Sequence, residues 1–392
     1  MTTLREMLAL SPLNNTFPAL HGLRVVAILT VLQIHVTSAM VGSRGVITID
    51  LPSSIADTSL LIWFGMDMFF ILSGFLIGTM LIRGDRFLER GKLARFYIRR
   101  SFRIFPLYYV VLTLFVLFLP VDPIQRQNIL WEYLYLTNYQ ATYAVVMPWA
   151  WSLAVEEHFY ISVPLLIGAL LWLRSDRLRL TAIVLAWGGG LAARCWFYFV
   201  THAGEISYGE LWLSAYFQTH LRFDILLAGI FIAYTHHEHG DMIRTWLERR
   251  SIRLAFWSIS SLSLVFILNK PTQEPWLGPW CLLAWGTMTS IMYVPLILML
   301  LCRPEGWIAR VLGHRFLLPL ATLGYGVYLV HIPMMRYAVL PLAKWATDGG
   351  VPLGMVWWAS LALLFIGSLS VAYVLHITVE KSALWLRDRV AP

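Results

Sequence analysis

Apolar residues run through this chain in long stretches, separated by short charged or aromatic segments. The stretches lack the period-two alternation of half-buried strands and are too uniformly apolar for surface helices. About 20 mainly apolar residues suffice for a helix to cross a bilayer. Ten such spans are predicted, near 22–41, 59–82, 104–120, 150–173, 181–200, 220–235, 254–268, 280–301, 317–335 and 354–376. The sixth and seventh are the shortest. The segment 129–139 (ILWEYLYLTNY) is aromatic but too short to span, and reads as interfacial.

Composition sharpens that picture. Of 392 residues, 58% are apolar and 13% are charged. A soluble domain has about 45–50% and about a quarter, respectively. A soluble globular enzyme, a disordered chain and a disulfide scaffold are therefore excluded. The three cysteines, Cys195, Cys281 and Cys302, lie far apart in or beside apolar runs. They read as small buried hydrophobes, with neither metal-binding spacing nor a disulfide framework. No signal-peptide pattern opens the chain, so the first span is expected to be retained. With no internal repeat and no low-complexity linker, the expectation is one all-α domain over 1–392, a polytopic helix bundle with no fused soluble domain.

A formal charge of +8 would raise the question of nucleic acid in a soluble protein. Here it bears first on orientation, because Lys and Arg concentrate in cytoplasmic loops. Twenty-two of the 30 basic residues fall on the side of the N-terminus and five on the other, with Arg24, Arg194 and Arg222 inside spans. Both termini are expected in the cytoplasm.

Ionisable groups inside a bilayer are costly and point to function. Arg24 and His35 are eleven residues apart, close to three helical turns, so they share a face about 16 Å apart along the axis. A permanent cation then sits at the cytoplasmic mouth and an imidazole, a base near neutral pH, sits near mid-membrane. The basic loop 83–103 ends in Arg99, Arg100 and Arg103 at the mouth of the next span. Guanidinium forks there suit a phosphorylated cytosolic ligand, although a topogenic loop also explains such charge. No glycine-rich phosphate loop supports nucleotide hydrolysis. WSLAVEEHFY places Glu156 and Glu157 in the fourth span, about 100° apart around the helix, so they cannot face one site equally. HLRFD offers His220, Arg222 and Asp224. Arg222 and Asp224 do not share a helical face, so their ion pairs are expected to reach other helices. His236, His237 and His239 read as a solvated turn in an inner loop (HHEHGD), and no metal site is expected.

Seven blocks together resemble the acyltransferase 3 family of integral membrane O-acyltransferases. They are GLRVVAILTVLQIH (22–35), FFILSGFL (69–76), RRSFRIFPLYY (99–109), WSLAVEEHFY (151–160), HLRFDILLAG (220–229), GYGVYLVHIP (324–333) and VEKSALWLR (379–387). They come in the family's order and cover nearly the whole chain. The resemblance implies that Arg24 and His35 match the Arg-x10-His motif, with His35 the catalytic residue. It also implies that Arg99, Arg100 and Arg103 belong to the acyl-CoA-binding motif. Glu156 and Glu157 match the family's acidic pair and are candidate catalytic residues with His35, one of them expected to orient the imidazole or steady its positive charge; Ser73 matches the second-helix signature. Ser73, His220, Arg222, Asp224 and His331 are candidate substrate-binding residues. Some relatives carry a fused extracytoplasmic domain that is not expected here, which leaves room for a separate partner protein.

The expected function is O-acylation at the plasma membrane. Acyl-CoA, acetyl-CoA by default, is the donor substrate and no cofactor is tightly bound. The acceptor is a hydroxyl of a cell-envelope glycan or lipid-linked sugar. Alternatives are O-acylation of a small secreted metabolite such as a glycosylated macrolide, or a transporter without chemistry.

Overall fold

The computed structural model describes residues 10, 16–41, 64–84, 89, 91–268 and 278–391. The start of the second expected span (59–63) lies outside the described residues, as do Arg5, Arg44, Asp85, Arg86, Arg90 and Lys270. Among the described residues there is no strand. The helices of ten or more residues begin with α1 (Pro18–Val41), α2 (Gly65–Arg83), α3 (Lys92–Phe118) and α4 (Trp151–Trp172). They continue with α5 (Asp176–Trp196), α6 (Tyr208–Phe217), α7 (Thr219–Glu248) and α8 (Arg250–Leu268). The last are α9 (Trp285–Cys302), α10 (Leu317–Met334), α11 (Leu353–Leu375) and α12 (Lys381–Val390).

Nine helical segments among the described residues are long and apolar enough to cross a membrane, and each overlaps an expected span. The protein is a multi-pass membrane protein. The remaining stretch, 220–235, lies within the 30-residue α7, whose charged residues lower its hydropathy. The HHEHGD run is also part of α7, and not the loop that its polarity led us to expect. Hydropathy marks where an apolar stretch ends, not where a helix ends. The Tyr234 hydroxyl, which donates to Asp176 Oδ1 at 2.7 Å, ties this part of α7 to the start of α5. α3 likewise begins twelve residues ahead of its apolar stretch, so the basic motif is helical.

Two compact units make up the chain. The first comprises residues 1–66, 94–120 and 311–392. In it α10 packs against both α1 and α11. Gly324 and Gly326 make this possible: a Cβ on Gly326 would lie 2.9 Å from that of Ala372, and one on Gly324 would strike Ile28. Tyr325, between them, donates to the Ile104 carbonyl of α3 at 3.1 Å. Trp357 Nε1 donates to Thr37 Oγ1 at 3.0 Å, joining α11 to α1. Pro333 near the end of α10 is followed by a π-helical turn, Met335–Val339. A proline has no N–H and crowds the carbonyl four residues back, so the ladder widens there.

The second unit comprises residues 67–93 and 121–310. α7 packs against α5, α9, α4, α6 and α8. It approaches α2 so closely at Gly229 and Gly74 that a Cβ on either would strike the other helix's backbone. Small residues at such crossings are the membrane-bundle solution to close packing.

Candidate active-site groups

In the first unit, His35 lies on α1 and His331 on α10, with ring centroids 4.9 Å apart and planes tilted by 59°. His35 Nδ1 is 2.8 Å from the Val31 carbonyl and His331 Nδ1 is 2.6 Å from that of Tyr328. A carbonyl oxygen only accepts, so each Nδ1 carries the proton. In each neutral ring Nε2 is then the basic nitrogen. His331 is fully buried and His35 half-buried. The helix backbone itself fixes both tautomers.

Arg24 sits half-buried on α1, in the same unit. Two arginines of the basic motif on α3 are tied to the C-terminal segment. Arg99 donates to the Ala391 carbonyl at 2.7 Å and lies 3.5 Å from Asp388, at the exposed end of α12. Arg103 lies 3.2 Å from Glu380 Oε1, and His376 Nδ1–H donates to the other oxygen at 2.6 Å. His376 and Glu380 bound a π-helical turn between α11 and α12. Arg100 is half-buried on α3.

In the second unit, Ser73 on α2 donates to Glu156 Oε1 at 2.6 Å, and the Tyr160 hydroxyl donates to Oε2 at 3.1 Å. Ser73 and Glu156, predicted separately, are thus brought together. Glu157 is buried on α4.

Arg222 and Asp224 send their ion pairs to different helices, as their two-residue spacing requires. Arg222 pairs with Asp67 of α2, which also accepts from Trp285 Nε1 of α9 at 2.8 Å. The Arg222 guanidinium sits 4.0 Å from the Tyr216 ring centroid and within 5.6 Å of those of Trp151 and Phe70, an aromatic cage for a cation. Asp224 is gripped by Arg194 of α5 through bonds of 3.1 and 2.7 Å. Arg194 also donates to the Leu283 and Leu221 carbonyls and to Thr287. All four ions are buried, and their mutual geometry is that of a structural clamp on α7.

Sequence reasoning assigned no role to several of these groups. Asp67 and Arg194 are charges in apolar runs, but nothing in the order of residues names their partners. Glu132 had no signal at all, being one carboxylate in an aromatic segment. It is buried in the short helix Ile129–Tyr133, where its two oxygens accept from the Val146 and Met147 N–H groups at 2.6 and 2.9 Å. Burial pushes its pKa up to about 7, against the pull of those two donors. Gln125 Nε2 donates to the Val145 carbonyl at 3.2 Å, so two side chains strap down the segment that leads into α4.

This chain belongs to the acyltransferase 3 family: the family's acyltransferase domain matches residues 17–377. The O-acetyltransferase OatA of Staphylococcus aureus is 25% identical over 339 residues, covering 82% of this chain and 51% of the relative. The peptidoglycan O-acetyltransferase OatA of Listeria monocytogenes is 23% identical over 336 residues, covering 81% and 49%. The chain therefore spans about half the length of these curated relatives. No solved structure matches it.

Proposed function

We propose that this protein is an O-acyltransferase of the plasma membrane. It moves an acyl group, acetyl by default, from cytosolic acyl-CoA to a hydroxyl of a cell-envelope glycan or lipid-linked sugar. The observation that carries this reading is His35, a half-buried imidazole in the middle of an apolar helix. Its Nδ1–H is held by the Val31 carbonyl, so its Nε2 is available as a base. Both termini are assigned to the cytoplasm from the bias of basic residues. Arg24, Arg99, Arg100 and Arg103 then lie on the side from which CoA comes, and guanidinium forks suit its phosphates. All four belong to the same unit as His35 and His331.

In the proposed reaction the acceptor oxygen attacks the thioester carbonyl while His35 Nε2 takes its proton. The carbon–sulfur bond breaks, and the imidazolium returns that proton to the leaving thiolate. The products are the O-acyl ester and free CoA thiol. In a Ser-His-Asp triad a carboxylate holds Nδ1; here the Val31 carbonyl takes that place. Glu156, held by Ser73 and Tyr160, and Glu157 are the candidate catalytic carboxylates of the second unit.

The test is purified protein in nanodiscs with acetyl-CoA and a panel of peptidoglycan fragments and glycosides. Thiol release that requires an acceptor and vanishes in His35→Ala is expected. Undiminished turnover in His35→Ala overturns the assignment, and absence of both thiol release and acetyl-CoA binding favours the transporter alternative.

A further inference from the structure

Away from the groups used above, the second unit carries an unusual display of rings at one end of α4 and α7. The 3-10 turn Thr137–Tyr139 precedes α4, on the side that the basic-residue count assigns to the outside. Tyr135, just before it, holds a positive φ of 56°, a backbone state that a residue with a Cβ adopts only when its surroundings impose it. Those surroundings are visible. His158 of α4 hydrogen-bonds the Tyr135 backbone through one side of its ring. Its Nδ1 lies 2.7 Å from Thr219 Oγ1, at the start of α7. Asn138 Nδ2 donates to the same hydroxyl oxygen at 2.8 Å. The proton order follows: the Asn138 amide donates to Thr219, the Thr219 hydroxyl to His158 Nδ1, and His158 Nε2–H to the Tyr135 carbonyl. Asn138 and Thr219 are buried.

This buried chain of bonds fixes what stands on top of it. Tyr139 is 43% exposed, and its ring lies parallel, within 2°, to that of His220, itself an exposed residue, with centroids 6.1 Å apart. The Tyr139 hydroxyl reaches His220 Nδ1 at 3.5 Å, which leaves the His220 Nε2–H as a donor at the edge of the pair. A tyrosine that merely anchors a protein at the membrane surface needs no such pedestal. Two parallel flat faces match a pyranose ring, which offers a flat array of C–H groups, and the N–H at their rim meets the hydroxyls around its edge. An aromatic body with a polar tip suits such an amphipathic ligand.

We infer that Tyr139 and His220 form a sugar-binding platform, the subsite that receives a pyranose of the acceptor. The inference rests on the acceptor being a glycan, as proposed above. Asn138, His158 and Thr219 are its positioning residues. Because binding precedes chemistry, the platform is testable without turnover.

The probe is chitotetraose, a β1,4-linked N-acetylglucosamine tetramer, added to the protein in nanodiscs and read by saturation-transfer NMR. Wild-type protein is expected to saturate the sugar C–H protons. Tyr139→Ala and His220→Ala are each expected to weaken binding at least tenfold, while Tyr139→Phe and Tyr139→Trp, which keep a flat ring, retain it. His35→Ala is expected to bind the sugar normally, so failure of the acyl-transfer reading would leave this result standing. Wild-type protein without saturation transfer, or Tyr139→Ala binding as tightly as wild type, overturns the platform. Loss in Tyr139→Phe equal to that in Tyr139→Ala overturns it too, because stacking does not need the hydroxyl.

Discussion

The His35 and His331 rings lie 4.9 Å apart, and each donates its Nδ1–H to a carbonyl of its own helix. Two imidazoles so arranged present the same kind of nitrogen, the basic Nε2. His35→Ala is expected to lower kcat by about 10²–10⁴-fold, the usual yield of a positioned general base. His331→Phe keeps the ring and removes the nitrogens. If His331 only packs, that variant retains activity; we expect kcat to fall at least tenfold with an unchanged donor KM.

The two buried ion pairs on α7 predict a stability effect that is independent of activity. Arg194→Met leaves Asp224 charged and buried, and such losses cost about 3–5 kcal/mol. The double variant Arg194→Met/Asp224→Leu removes both charges and is expected to recover a large part of that loss. Thermal unfolding in detergent of the two single variants and the double reads the coupling directly.

The basic motif makes opposite predictions at neighbouring positions. Arg99→Ala and Arg100→Ala are each expected to raise the KM for acetyl-CoA about tenfold with kcat little changed, the size of one charge-assisted hydrogen bond. Glu380→Gln releases Arg103 from its partner and is expected to lower that KM, by several-fold. Donor titrations at two salt concentrations check both, since exposed phosphate contacts weaken as salt rises.

Glu132 predicts a pH dependence. Its pKa stands at about 7 in the folded chain against 4.5 for the free group. Between those values the folded state holds a proton that the unfolded state has lost, so stability falls as pH rises from 4.5 to 7. The full span corresponds to about 3 kcal/mol. Glu132→Gln, which cannot ionise, is expected to flatten the slope of melting temperature against pH over this interval. An unchanged slope would count against the buried strap as its source.

How far the sequence revealed this architecture depends on what each element demands. Spans such as 354–376 were legible because a bilayer imposes a length and a composition that no other environment does. The failure at HHEHGD shows the limit of the same signal: α7 stays helical where its surroundings turn polar. That Arg222 and Asp224 needed separate partners followed from helical geometry. Which partners they found, Asp67 and Arg194, depended on how distant helices pack. Likewise Arg24 and His35 could be placed on one helix from spacing, but His331 reached His35 only through the α1–α10 crossing opened by Gly324. Glu132 was illegible because its partners are backbone N–H groups, which every residue but proline carries.

The clamp on α7 also has a temporal side. Arg222 and Asp224 make α7 a poor candidate for entering lipid alone, since each bare charge at the centre of a span costs about 2.5–3.5 kcal/mol at insertion. Their counter-ions, Asp67 and Arg194, lie on α2 and α5, both of which leave the ribosome before α7. The order of the chain thus sets out a waiting anion and a waiting cation before the helix that needs them is made. Moving α7 ahead of α2, by circular permutation for example, would remove that advantage while leaving every residue of the finished bundle the same.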